Sequence, residues 1–190
     1  MGRWEPDARD RLKRAAVDLF VEQGFAETTV PQITARAGLT TRTFFRHFAD
    51  KREVLFVGEE EFPALVAKMM ADAPPSLGPM AVILHGLRTI AEGVFEGQRE
   101  YMRTRRSVIQ TDAGLREREL WKLSALSKAI REGFLERGVD DLTATLAAQA
   151  GVTAFGVGIT RWLDQDDGSL AEIVRDTLDA LRTVLAEPVE

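Results

Sequence analysis

The stretch Thr28-Thr29-Val30-Pro31-Gln32-Ile33-Thr34-Ala35-Arg36-Ala37-Gly38-Leu39-Thr40-Thr41-Arg42-Thr43-Phe44-Phe45-Arg46-His47-Phe48 contains two helix starts and one stop. Thr29 stands at an N-cap, Pro31 in the first turn and Gln32 at N3, the pattern of a capping box. The helix stops at Gly38, which can take the positive φ a tight turn needs. Thr40 then caps a second short helix. Ile33, Ala37, Leu39, Phe44 and Phe48 can pack a small core that holds this helix at a steep angle to the one before it. That is the helix-turn-helix arrangement.

Upstream, Leu12, Ala15, Ala16, Leu19 and Phe20 recur at helical spacing, and Gly24 closes that helix. Downstream, Asp50-Lys51-Arg52-Glu53 reads as another capping box, opening a long fourth helix kinked at Gly58 and Pro63. Ala73-Pro74-Pro75-Ser76-Leu77-Gly78-Pro79 is a linker. Five further helices lie at about 80–95, 98–111, 115–137, 141–164 and 169–186, the last opened by the capping box Ser169-x-x-Glu172. No run alternates with period two over a strand's length. The expectation is an all-α chain of about nine helices. Residues 1–55 form the helix-turn-helix domain, and residues 56–190 form a helical domain for effector binding and dimerisation.

Composition narrows the chemistry. The 190 residues include no cysteine, which excludes disulfides, thiolate metal sites and cysteine nucleophiles together. The only histidines are His47 and His85, with no metal-ligand spacing, so we expect no metal and no cofactor. There is no phosphate loop and no GxSxG elbow, and paired carboxylates such as Glu59, Glu60 and Glu61 have no evident cleft. We therefore expect no enzyme. The longest strictly apolar run, Met80–Leu84, is far short of a membrane span. Met1–Asp7 has no apolar leader, so a cytoplasmic protein without a membrane partner is expected. The net charge of −5 is unevenly spread: residues 1–57 carry +2 and residues 58–190 carry −7. A nucleic-acid surface therefore belongs in the first third.

Within that third, Thr41, Arg42 and Thr43 open the third helix and are placed to enter a major groove. Arginine suits guanine edges and threonine methyls suit thymine. Thr28, Thr29, Gln32, Thr40, His47 and Lys51 are suited to phosphates, helped by the N-termini of the second and fourth helices. Arg36 and Arg46 can equally be solvated or pair with nearby carboxylates.

The quoted stretch, continued through Asp50-Lys51, resembles the DNA-binding domain of TetR/AcrR-type repressors from Arg9 to Leu55. The resemblance implies an all-helical dimer on double-stranded DNA, released when a small-molecule effector binds the C-terminal domain. It also implies a difference at Phe45. The family commonly has a tyrosine there, whose hydroxyl meets a phosphate, and a phenylalanine leaves only ring contact or packing. The segment Arg99–Leu120, with Arg105-Arg106-Ser107-Val108-Ile109 and Leu115-Arg116-Glu117-Arg118-Glu119-Leu120, is similar to actinobacterial members near the mycofactocin regulators. That likeness implies an acyl-thioester or lipid-like effector.

In the C-terminal part, Ala147, Gly151, Ala154, Gly158 and Trp162 make a small-residue face on the eighth helix. Leu170, Val174, Thr177, Leu181 and Val184 make a stripe on the ninth. Paired across a twofold axis, these would form a four-helix bundle between two copies; the alternative is burial inside one chain. For an effector, Tyr101, Met102, Val108 and Ile109 line an apolar stripe broken by Arg105. This cation needs an anion, either a protein carboxylate such as Glu92 or Asp112 or a ligand. His85 and Trp121 are further pocket candidates. The expected function is a ligand-responsive repressor on a near-palindromic operator. The alternatives are a small-molecule-binding helical dimer with weak or no DNA binding, or an activator using the same contacts.

Overall fold

The computed structural model describes residues 8–95 and 97–187, so the Met1–Asp7 stretch inspected for a leader lies outside the described residues. Among these residues the chain forms nine α-helices and no strand: α1 (Ala8–Gln23), α2 (Val30–Ala37), α3 (Thr41–His47), α4 (Phe62–Asp72), α5 (Pro79–Ile90), α6 (Arg99–Thr111), α7 (Ala113–Glu136), α8 (Asp141–Asp164) and α9 (Leu170–Leu185). It divides into two compact units. Of the described residues, one unit comprises those in 8–60 with 101–119, and the other those in 61–95, 97–100 and 120–187. Most of α6 and the first turns of α7 therefore pack with the N-terminal residues, a grouping that a linear reading of the chain does not show.

In the first unit, Leu12, Ala16, Leu19 and Phe20 of α1 bury with Ile33 of α2, Phe44 of α3 and Phe48. Val54, Leu55 and Phe56 extend this core to Val108, Ile109 and Leu115 of the α6–α7 hairpin. Thr40 caps α3 as expected, its Oγ1 accepting from the Thr43 N–H at 3.1 Å.

The expected long fourth helix is corrected. Asp50 does accept the N–H groups of Arg52 and Glu53, at 2.7 and 3.2 Å. The chain beyond it, however, makes a short 3-10 turn at Glu53–Phe56, a second at Glu59–Glu61, and only then α4. Gly58 at φ +81° breaks the chain between the turns, and Pro63, lacking an N–H, starts a new helix instead of bending an old one.

In the second unit α8 is the central helix, packed against both α5 and α9. It is long and apolar enough by length and composition to cross a membrane, and here its small residues serve packing within the unit. A Cβ on Gly151 would lie 2.9 Å from Ile83 Cδ1 of α5, and one on Gly158 would lie 2.7 Å from Val174 Cγ2 of α9. Ala147, Ala154, Trp162, Leu170, Val174 and Thr177 are likewise buried within the single chain, and Leu181 is half-buried. Most of the stripe expected to meet a second copy is thus covered by the chain itself, while Val184 at its end is 61% exposed. Gly151 and Gly158 are close-approach positions, and the neighbours they admit within this chain are α5 and α9. Ser169 and Glu172 form the expected capping box at the start of α9, exchanging Ser169 N–H→Glu172 Oε2 and Glu172 N–H→Ser169 Oγ, both 3.2 Å. The helix expected at 80–95 ends as an α-helix at Ile90 and widens into a π turn at Ala91–Phe95. There Phe95 packs edge-on against Phe155 and Trp162.

Candidate nucleic-acid interface

Three local devices aim α3. At the α2–α3 turn, Gly38 sits at φ +63°, and its N–H and that of Leu39 turn back to the Ala35 and Thr34 carbonyls at 3.1 and 2.9 Å. Arg11 of α1 donates to the Ala37 carbonyl at 2.6 Å, closing the last turn of α2 against α1. Phe44, fully buried, contacts Phe48 at 5.3 Å between ring centroids and so fixes which side of α3 faces inward.

The outward side then carries Thr41, Arg42, Phe45 and Arg46, all exposed. Arg42 makes no hydrogen bond or ion pair among the described residues, leaving its guanidinium available to an external acceptor. Thr43 is half-buried, and its hydroxyl is 2.9 Å from that of Thr40, so both are engaged in the cap. Thr29 and Gln32 are exposed at the start of α2, where Gln32 Oε1 accepts the Thr29 N–H at 2.8 Å. His47 is half-buried, with Nε2 3.4 Å from Arg46 Nη2. Arg36 pairs with Glu22 at 2.5 Å, and that hydrogen bond holds the Glu22 carboxyl below its ordinary value.

Two of the expected phosphate residues face inward instead. Thr28 is 1% exposed and its hydroxyl donates to the Gly24 carbonyl at 2.8 Å. The Lys51 ammonium donates to the carbonyls of Phe25, Ala26 and Thr28 at 2.6, 3.1 and 2.8 Å, and lies 4.4 Å from the Phe25 ring centre. An ammonium has three hydrogens. All three are used here to close the loop between α1 and α2, which is a structural role.

Arg105 is 5% exposed and answers the question its sequence position raised. Its Nε donates to the Leu55 carbonyl at 2.7 Å, and its Nη2 donates to Glu59 and Glu119 at 2.6 and 2.9 Å. The anion is supplied by the protein, and it is neither Glu92, which lies 3.8 Å from Arg88, nor Asp112, which caps α7 at the Leu115 N–H. Burial works against the guanidinium charge, and Glu59 and Glu119 more than offset it, so the Arg105 pKa is raised. Arg105 and Arg118 both lie over the Phe56 ring, at 5.0 and 4.6 Å, and Arg118 pairs with Glu53 at 2.5 Å. The α6–α7 hairpin thus grips residues 53–59, the segment that leads out of the helix-turn-helix.

The other effector candidates are dispersed in character. Tyr101 is half-buried beneath the Lys13 ammonium at 4.0 Å, and burial raises its hydroxyl pKa. Met102 is half-buried, and Ile109 belongs to the core of the first unit. His85 is exposed on α5, and Trp121 is 72% exposed on α7. No sequence pattern points to Glu59, Glu119, Arg118 or Arg11 in the roles they take. Their partners lie 14 to 65 residues away in sequence, beyond any local pattern. Among the described residues no group of acidic or histidine side chains could hold a metal ion.

Comparison with known proteins gives the same picture. Residues 12–56 match the model for bacterial regulatory proteins of the tetR family, and residues 77–186 match that of the MftR C-terminal domain. The chain is 34% identical over 92 residues to the HTH-type transcriptional regulator TcmR of Streptomyces glaucescens, covering 48% of this chain and 41% of that protein. The match therefore spans less than half the relative's length. Among solved structures, the chain is similar in fold to Thermus thermophilus FadR, a TetR-family repressor in complex with lauroyl-CoA. The TM-score is 0.58 at 24% identity, covering 96% of this chain and 97% of that one. It is also similar to SmeT, the repressor of the Stenotrophomonas maltophilia multidrug efflux pump SmeDEF, with a TM-score of 0.63 at 19% identity over 96% and 97% of the two chains.

Proposed function

Because the chain belongs to the TetR family of transcriptional regulators, with a C-terminal domain of the MftR type, we propose that it is a cytoplasmic repressor released from its operator by a small molecule. The observation that carries this reading is the outward face of α3. Its Arg42 is exposed and unengaged among the described residues, and it is set on a helix whose pitch is fixed by Gly38, Arg11 and Phe44. A guanidinium so placed suits the O6 and N7 acceptors of guanine, with Thr41 beside it. Thr29, Gln32, Thr40 and His47 border that face and supply backbone-positioning contacts.

A second copy of the chain completes the reader. With the small-residue stripe already buried, the exposed large apolar residues on α8 are Leu142, Leu146 and Val157, with Val184 and Leu185 on α9. We assign these residues to the twofold contact. Two recognition helices would then meet half-sites about 34 Å apart, which requires a near-palindromic operator. An acyl-thioester or lipid-like effector fits the likeness to the MftR C-terminal domain and to a FadR solved with lauroyl-CoA. Differential binding of that effector to one arrangement of the two recognition helices would release the operator.

Fluorescence anisotropy against DNA flanking the chain's own gene, with a scrambled duplex as control and salt varied, tests the proposal. Tight binding to the native duplex that weakens as salt rises, and is reversed by a long-chain acyl-thioester, is the expected result. Equal, weak binding to both duplexes favours the alternative of a small-molecule-binding dimer, to which the inward-facing Thr28 and Lys51 lend some support.

A further inference from the structure

On α3, Phe45 falls one turn after Thr41 and lies between Thr41 and Arg42 around the helix, at the middle of the exposed side. Its ring is 55% exposed, yet it is held in place, edge-on to the buried Phe44 with centroids 5.5 Å apart and planes at 85°. Phe44 and Phe48 already fill the inner side of the helix, so the core places no demand on this ring. Three of the four outward residues are polar, and the fourth, near the centre, has no donor or acceptor at all. A bare aromatic ring on this face cannot bond a phosphate, and it cannot read N7, O6 or N4 of a base. The apolar group that base edges present in the major groove is the 5-methyl of thymine.

We infer that Phe45 is a specificity-determining residue that selects a thymine in each half-site through contact with its 5-methyl group, beside the base read by Arg42. This rests on the DNA-binding reading above and adds to it a contact that carries sequence information and does not depend on salt. The ring excludes water from the methyl group on docking, and cytosine, which has hydrogen at that position, offers nothing equivalent.

The test uses the full chain and a duplex enriched from a randomised library at physiological salt. Each enriched thymine is replaced in turn by deoxyuridine, which deletes only the methyl group, and affinity is read by anisotropy. For the wild type, one position per half-site should weaken binding about fourfold, the effect of one buried methyl-sized group. Phe45→Ala should bind the parent duplex more weakly and be indifferent to that replacement. Phe45→Tyr, which keeps the ring, should retain the fourfold sensitivity. A wild type insensitive to every thymine-to-uracil replacement overturns the inference and leaves the repressor reading standing. So does a Phe45→Ala protein that loses the same fourfold, or a Phe45→Tyr protein that loses none. If the wild type enriches no duplex, the DNA-binding reading fails and this inference fails with it.

Discussion

Replacing Arg105 with methionine should loosen the segment that joins the helix-turn-helix to α4. The substitution keeps a long apolar stem and removes three hydrogen bonds, to the Leu55 carbonyl and to the Glu59 and Glu119 carboxylates. Hydrogen bonds to charged groups contribute about 1.5–3 kcal/mol each, which would sum to several kcal/mol. The Glu59 and Glu119 side chains are 15% and 30% exposed, however, so both carboxylates can turn partly to water once the cation is gone. The lower end of the range for breaking a buried pair is therefore expected, about 3 kcal/mol. Two compact units need not unfold together, so a single global midpoint would blur the effect. Hydrogen exchange at the amides of residues 53–59, together with urea unfolding, reads it locally. The companion variant Arg105→Met/Glu59→Gln/Glu119→Gln also removes the two carboxylate charges that face the guanidinium and should recover part of the loss. A cost below about 1 kcal/mol, the scale of an exposed ion pair, would refute the claim that this cluster holds the segment. No recovery in the neutral variant would refute the electrostatic part of the reasoning.

Three further outcomes rest on the same geometry. Gly38→Ala places a Cβ at φ +63° and 3.1 Å from the Arg11 guanidinium; it should cost about 1–2 kcal/mol in urea unfolding, and a neutral result would contradict the strained-turn account. Lys51→Met should destabilise the chain by about 1–3 kcal/mol while leaving the salt dependence of DNA binding unchanged; a salt slope reduced by about one unit would place the ammonium on a phosphate. At Asp50, burial works to raise the carboxyl, and the hydrogen bonds from the Arg52 side chain and from the N–H groups of Arg52 and Glu53 overcome it, leaving the pKa below 3.8. A depressed carboxylate stabilises the folded chain above its ordinary pKa, and that contribution is lost as pH falls through the lower folded value. The stability gap between wild type and Asp50→Asn should therefore shrink as pH falls below the ordinary carboxylate range, and a constant gap would contradict the assignment.

What was legible in the sequence was local. Thr40 and Ser169 announce their helices because a cap is decided within four residues, and Gly38 announces its turn because only glycine takes that φ easily. Ile33, Phe44 and Phe48 are readable as core from the helix-turn-helix pattern. Periodicity marks a face without saying what covers it, and this is why the α8 stripe left two neighbours open. Gly151 and Gly158 do admit a close neighbour, and the neighbours are Ile83 and Val174 of the same chain. For the same reason a lysine near a helix-turn-helix reads as a phosphate ligand until Lys51 is seen to turn inward onto three carbonyls. The partners of Arg105 come from a 3-10 turn 46 residues upstream and a helix 14 residues downstream, a meeting that only the packed hairpin creates. Gly58 and Pro63 were visible as irregularities; that they end one element and begin another depends on the positive φ actually adopted at Gly58.

The central claim is that the outward face of α3 reads base edges through Arg42. It is tested most directly by comparing wild type and Arg42→Ala on an operator duplex and on a scrambled duplex at one salt concentration. The account predicts that the variant loses about 5- to 150-fold for each half-site of the operator, the range for one bidentate base contact, and only a few-fold on the scrambled sequence, so that the specificity ratio collapses. Equal losses on both duplexes would make Arg42 a phosphate ligand and contradict the claim.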